Sequence, residues 1–140
     1  MNVGDIALWG LVAGLIHFVA IGILYGNPYV DRIYVAASDA SPAVRSWASK
    51  PRYLVTQFVG TQVEVYLIAI GFAWLYPHVP AGGSTGALLL GALFAALRVY
   101  PRFWNMWIQS TYPRRLLATE VVNGVIGTFV VVITLYFLLP

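Results

Sequence analysis

The sequence predicts an all-α membrane protein with four transmembrane helices, and three observations carry that expectation. Charge is scarce: of 140 residues 60% are hydrophobic and only 9% are charged, against about 25% in an ordinary soluble domain. So few charges do not cover a water-facing surface. Four segments each hold the roughly 20 mostly apolar residues that a helix needs to cross the hydrocarbon core. Finally, all eight Lys and Arg residues lie in two clusters beside those segments.

The predicted spans are residues 6–25, 53–76, 85–100 and 116–139, forming one domain over residues 1–140. The first begins in MNVGDIALWG, which has an acid and no basic residue ahead of the apolar run. A secretory signal peptide carries a basic start, so this segment is expected to be retained. The third span, ending at Tyr100, is the shortest.

The basic residues predict orientation. Arg32, Arg45, Lys50 and Arg52 lie between spans one and two, and Arg98, Arg102, Arg114 and Arg115 lie at or between spans three and four. The connection YPHVPAGGS has none. By the positive-inside rule the first and third connections face the cytoplasm and both termini face out, as expected in a bacterial cytoplasmic membrane. Net charge is +3, but topology accounts for the basic residues, so no nucleic-acid partner is expected.

In the third connection, RVYPRFWNMWIQSTYPRR, Phe103, Trp104, Trp107 and Ile108 recur near helical spacing with Arg at both ends. This pattern predicts a short interfacial helix between helices three and four, with Trp104 and Trp107 as lipid or partner contacts. VDRIYVAA, in the first connection, has the pattern of a second surface helix.

A short internal repeat is present. RYLVTQFV from Arg52 and RLLATEVV from Arg115 share R-x-L-x-T-[QE]-x-V. Residues three, four and seven apart share a helix face, so Gln57, Gly60, Thr61, Glu64 and Gly71 form a stripe on span two. Glu120, Asn123, Gly124, Gly127 and Thr134 occupy the same offsets on span four. Two pseudo-symmetric helical hairpins are one reading; the need of any membrane helix for a small, polar packing face is the other.

The intramembrane polar residues are the candidate site. At 1.5 Å per residue, Glu64 and His17 each lie near the midplane. An isolated acid there costs roughly 3 kcal/mol, so Glu64 is expected to be protonated, bonded or paired. His17, which shares a face with Gly10, Ala13 and Gly14, is the expected partner. Such a pair serves either as half of a proton relay or as an interhelical hydrogen bond. Arg98 and Glu120, near the inner ends of spans three and four, are a second expected pair, with Asn123 beside them. Gln62 falls opposite the Glu64 stripe and is expected to face a neighbouring subunit or partner.

With no cysteine in the chain, disulfides, thiolate metal sites and cysteine nucleophiles are excluded. There is no His pair placed for haem, no zinc motif, phosphate loop or serine elbow, so no metal, no cofactor beyond bound lipid and no catalytic residue are expected.

At NPYV, at WNMW and at the polar start of span four, the chain resembles small bacterial four-helix integral membrane proteins of an uncharacterised family. The resemblance rests on Tyr25, Gly26 and Pro28 at the end of the first helix and on Asn123 and Gly124 in the last. It implies a fold and no activity. Two functions are therefore expected from the residues: a non-enzymatic protein acting by association, as a homo-oligomer or an accessory subunit of a larger membrane complex; or a small proton-coupled transporter or channel using Glu64 and His17.

Overall fold

The computed structural model describes residues 3–45 and 47–139. These form five α-helices and no strand: α1 Val3–Gly26, α2 Pro28–Ala40, α3 Lys50–Leu75, α4 Gly83–Gln109 and α5 Arg114–Leu138, with a single 3₁₀ turn at Tyr76–His78. Helices α1, α3, α4 and α5 are long and apolar enough to cross a membrane.

The breaks between helices follow from local chemistry. Asn27 separates α1 from α2: its amide donates to the Leu24 carbonyl at 2.6 Å, and its Oδ1 accepts from the Tyr29 and Val30 amides at 3.0 Å. One side chain therefore closes one helix and caps the next, and Pro28 follows at the position where its missing N–H costs nothing. Ser49 caps α3 in the same way through the Arg52 amide. The turn into α4 is made by Gly82 and Gly83, whose φ angles of 57° and 50° lie in the left-handed region that favours glycine.

Pro101 does not end the third long helix. α4 continues through it to Gln109, so residues 101–109 extend α4 and the expected separate interfacial helix is not formed. A proline removes one backbone donor and bends a helix, but the flanking turns retain their own bonds. The only short surface helix among the described residues is α2, which docks against α1 and α5 through Val30 and Ala37.

The long helices run in the spatial order α3, α1, α5, α4. α4 and α5 pack most closely, and α1 lies against both α3 and α5. α3 and α4 barely touch. The apolar core occupies the half of the bundle nearest the chain termini, where Ala13, Val65, Phe72, Leu90, Val131 and Leu135 meet.

Helix α1 shows how a membrane bundle sorts its residues. Gly10, Ala13, Gly14 and His17 are buried, whereas Leu8, Leu11, Leu15, Val19 and Ile23 are exposed. In lipid there is no hydrophobic gain from burying Leu, so small residues go inward because they let backbones approach. Gly14 is the tightest case: a Cβ there would lie 1.9 Å from the Gln62 Oε1. Gln62 fills that space and donates to the Gly10 carbonyl at 3.0 Å. It therefore faces α1 within the chain, not a neighbouring subunit, because a glycine pair on α1 offers room and an acceptor.

Candidate functional site

The centre of the bundle holds an ion pair that the sequence did not assign. Glu64, near the middle of α3, is bound by Arg98 of α4 in a two-pronged contact: Nε donates to Oε1 and Nη2 to Oε2, the latter at 2.7 Å. The Arg98 Nη1 also donates to the Thr128 hydroxyl at 2.9 Å and reaches the Gly124 carbonyl at 3.5 Å. Thr128 in turn donates to the same carbonyl at 2.8 Å. The planar guanidinium fork matches a carboxylate, which gives this pair its geometric specificity.

This arrangement corrects both expected pairings. Arg98 does not meet Glu120. A span that ends at Tyr100 puts Arg98 near a helix terminus, but the continuation of α4 to Gln109 puts it within the helix, level with Gly124 and Thr128. Nor does Glu64 bond to His17. The imidazole, only 2% exposed, lies over Gly127 of α5, where an added Cβ would come within 2.7 Å of Nε2. It is within electrostatic reach of Arg98 and Glu64, yet neither ring nitrogen has a protein hydrogen-bond partner among the described residues.

Glu120 belongs to a second cluster, at the basic end of the bundle. Its Oε1 accepts from the hydroxyls of Tyr34 at 2.9 Å and Tyr112 at 2.7 Å. Arg102, one turn along α4 from Arg98, approaches its Oε2 at 3.8 Å. Arg102 is 72% exposed, so this ion pair contributes little, and the two phenols are what hold the carboxylate. Both phenols titrate above the ordinary tyrosine value of 10.0: burial disfavours the phenolate, and the adjacent Glu120 charge adds to the effect. They stay protonated donors, and through Tyr34 they tie α2 to α5. Asn123 is buried beside this region, and its Nδ2 has no protein partner among the described residues.

The two stripes expected to be equivalent are packed differently. On α3, Gly71 faces Phe94 of α4, and Thr61 is buried and accepts from the Gln57 amide at 3.3 Å. Gln57 and Gly60 are exposed, and an added Cβ at Gly60 would meet nothing within 4 Å. On α5, Glu120 is largely enclosed and Asn123 is buried. The stripe on α3 thus points towards α4, touches it near the chain termini and loses it towards the basic end. The α3–α4 edge is therefore open at Gly60 and Gln57, and the Glu64–Arg98 pair beside it is partly exposed, at 39% and 23% of the two side chains.

Trp104 and Trp107 lie exposed on the last turns of α4, and the Arg114 guanidinium stacks 4.3 Å from the Trp107 ring. Between α4 and α5, on the flank away from α3, Ala92, Ala95, Ala96, Val99, Phe103 and Phe129 border an apolar groove of about 460 Å³. Among the described residues no group of three or more His, Cys, Asp or Glu is placed to hold a metal ion.

The partners that sequence reasoning missed are Thr128, Tyr34, Tyr112 and Arg102. For Thr128 a signal existed: Glu120, Gly124 and Thr128 recur every four residues, on one face of α5. No comparable signal linked Tyr34 to Glu120, which lie far apart in the chain. The chain matches no family model, no curated protein and no solved structure.

Proposed function

We propose that the protein works by association within the membrane, as a homo-oligomer or as an accessory subunit of a larger membrane complex, and catalyses no reaction of its own. The observation that carries this reading is the open edge between α3 and α4. There an ion pair, an amide and a bare glycine lie in a cleft at membrane depth. Lipid tails satisfy no hydrogen bond, and polar groups at that depth are stable only against protein or water. A helix supplied by another polypeptide covers such an edge at least cost. The orientation favoured by the basic residues fits this reading, and so does descent from a duplicated hairpin. The apolar groove on the opposite flank fits a lipid acyl chain.

The test is purification from native membranes in mild detergent, with the mass of the intact particle measured. Particles larger than one chain support the proposal, and a single chain carrying lipid alone refutes it.

One observation favours a second reading, a proton-coupled transporter. The imidazole of His17, without a protein hydrogen-bond partner among the described residues, lies within electrostatic reach of a carboxylate and a guanidinium, a setting in which protons move. Against it, four of the five N–H donors of Arg98 are taken by Glu64, Thr128 and Gly124, and the half of the bundle nearest the termini is filled by apolar side chains. A pH-driven flux in liposomes that Glu64→Gln abolishes without unfolding the protein would establish the transporter instead.

A further inference from the structure

We infer that the groove between α4 and α5 is a site for one phospholipid with a net negative headgroup, its acyl chain on the groove floor and its phosphate against Arg114. The inference is independent of the association reading, since a lipid occupies this flank whether or not the α3 edge is covered. The groove is built by the spacing of residues on α4. Leu89, Leu93 and Leu97 recur every four residues and stand exposed as a ridge, while Ala92 and Ala96, also four apart, form a floor beside it. Val121 and Val125 of α5 make the other wall. The Phe129 ring closes the end nearest the core by lying over Gly91, where an added Cβ would come within 2.8 Å of it. Apart from the Tyr100 hydroxyl, the lining carries no polar side-chain atom. From Ala92 to Phe103 the helix rises roughly 16 Å, close to the roughly 15 Å depth of one leaflet's hydrocarbon. The same length of α-helix fills roughly 1,200 Å³, so a helix would rest on the rims of this groove of about 460 Å³ and leave its floor empty. A chain of methylenes fits inside.

The end of the groove towards the basic connections supplies the charge. Trp107 lies one turn beyond Phe103 on α4, and Arg114 lies seven residues before Val121 on α5, so both continue the faces that line the groove. The two meet, with the guanidinium 4.3 Å from the indole ring. Stacking engages the flat face of a guanidinium and leaves its N–H edge free, and that edge matches the oxygens of a phosphate. Among the described residues Arg114 takes part in no ion pair: Glu64 goes to Arg98, and Glu120 to Tyr34, Tyr112 and Arg102. Tyr100 stacks on Trp104 at 6.2 Å, and Phe103 packs against Trp107 at 5.5 Å. Rings of this kind sit at headgroup depth. The groove thus ends in positive charge at the level where a lipid carries its phosphate. A zwitterionic headgroup brings its own cation to that place, so a net negative headgroup complements it better.

To test this, the full-length chain is reconstituted in vesicles of equal parts phosphatidylglycerol and phosphatidylcholine and extracted in mild detergent. The intact particle is then weighed with the lipid it keeps. The expected result is about one phosphatidylglycerol per chain, kept at least about tenfold over phosphatidylcholine, the factor that one charge-assisted contact supplies. Arg114→Gln should abolish that preference. Arg32→Gln, which removes an exposed charge of α2 at the same end of the bundle, should leave it unchanged. Ala96→Phe fills the floor from an exposed position and should remove retention of both lipids, with helix content by circular dichroism as in the wild type. Equal retention of the two lipids by the wild type overturns the site. So does an equal loss of preference in Arg32→Gln and Arg114→Gln, which marks attraction to diffuse charge. A particle of twice the chain mass that Ala96→Phe splits into single chains makes a second copy the occupant and overturns the lipid. A single chain that keeps one phosphatidylglycerol supports this site while refuting the association reading, so the two fail separately.

Discussion

The contact between Glu64 and Arg98 yields the sharpest quantitative expectation, because two pairings of the same arginine compete on paper. Substituting Glu64→Gln keeps the shape and removes the charge, leaving Arg98 with Thr128 and the Gly124 carbonyl only. Breaking a fully buried ion pair by removing one partner costs about 3–5 kcal/mol, since the other charge is left uncompensated. Here the Glu64 side chain is 39% exposed and the Arg98 side chain 23%, so the contact is partly screened and the expected cost falls to about 2 kcal/mol. That is a factor of about 30 in the folded-to-unfolded ratio. Arg98→Gln should cost a similar amount. The double substitution should cost less than the sum by about 1.5 kcal/mol, the coupling energy of the pair. The same cycle run on Arg98 and Glu120, which share no contact, should return a coupling close to zero. Unfolding titrations in mixed micelles measure all of these. A coupling for Arg98 with Glu120 as large as that with Glu64 would refute the assignment and with it the depth given to Arg98 by the unbroken α4.

Three further outcomes follow from local geometry. Gly14→Ala places a methyl group 1.9 Å from the Gln62 Oε1; expelling that side chain and its bond to Gly10 should cost about 2 kcal/mol, and adding Gln62→Ala should recover much of it in the same unfolding titration. Asn27→Ala removes the acceptor for the Tyr29 and Val30 amides, so α2 should lose about 1 kcal/mol of local stability, read as faster amide hydrogen exchange over residues 28–40. Stability should also fall in alkali: Tyr34 and Tyr112 titrate above their unfolded value of 10.0, so the stabilisation they give is complete below that pH and is lost as pH rises through the higher folded values. Thermal midpoints measured from neutral to strongly alkaline pH check this, and Tyr34→Phe should flatten the decline.

Much of the architecture was legible because membrane folding imposes simple rules on sequence. Scarcity of charge and four apolar runs were enough to predict four spanning helices, and the small residues of α1 correctly marked its buried face. Glu64 was recognised as needing a partner because a lone carboxylate in an apolar helix is costly wherever that helix packs. The identity of its partner was not legible. It depended on the end of α4, and a proline can end a helix or only bend it according to the packing around it. A span that ends at Tyr100 puts Arg98 level with Glu120; the helix that continues to Gln109 places it level with Thr128.

The repeat shows the same division. The matching letters around Gln57 and Glu120 are real, but the two positions differ in surroundings, because α5 packs against α1, α4 and α2, whereas α3 meets α4 at Gly71 and Glu64 and not at Gln57 or Gly60. Helix periodicity puts residues on a face without saying what that face meets.

By itself, then, the sequence determined the class, the number of spans, the clustering of basic residues at one end and the need of Glu64 for compensation. Each follows from composition and from periods of three to four residues, which act within one helix. The tertiary structure alone decided that Arg98 meets Glu64, that Glu120 is held by two tyrosines from separate elements, that Gln62 turns inward, and that α3 and α4 part to leave an open edge. Those outcomes depend on how helices are placed against one another, and that placement is set by packing between distant parts of the chain.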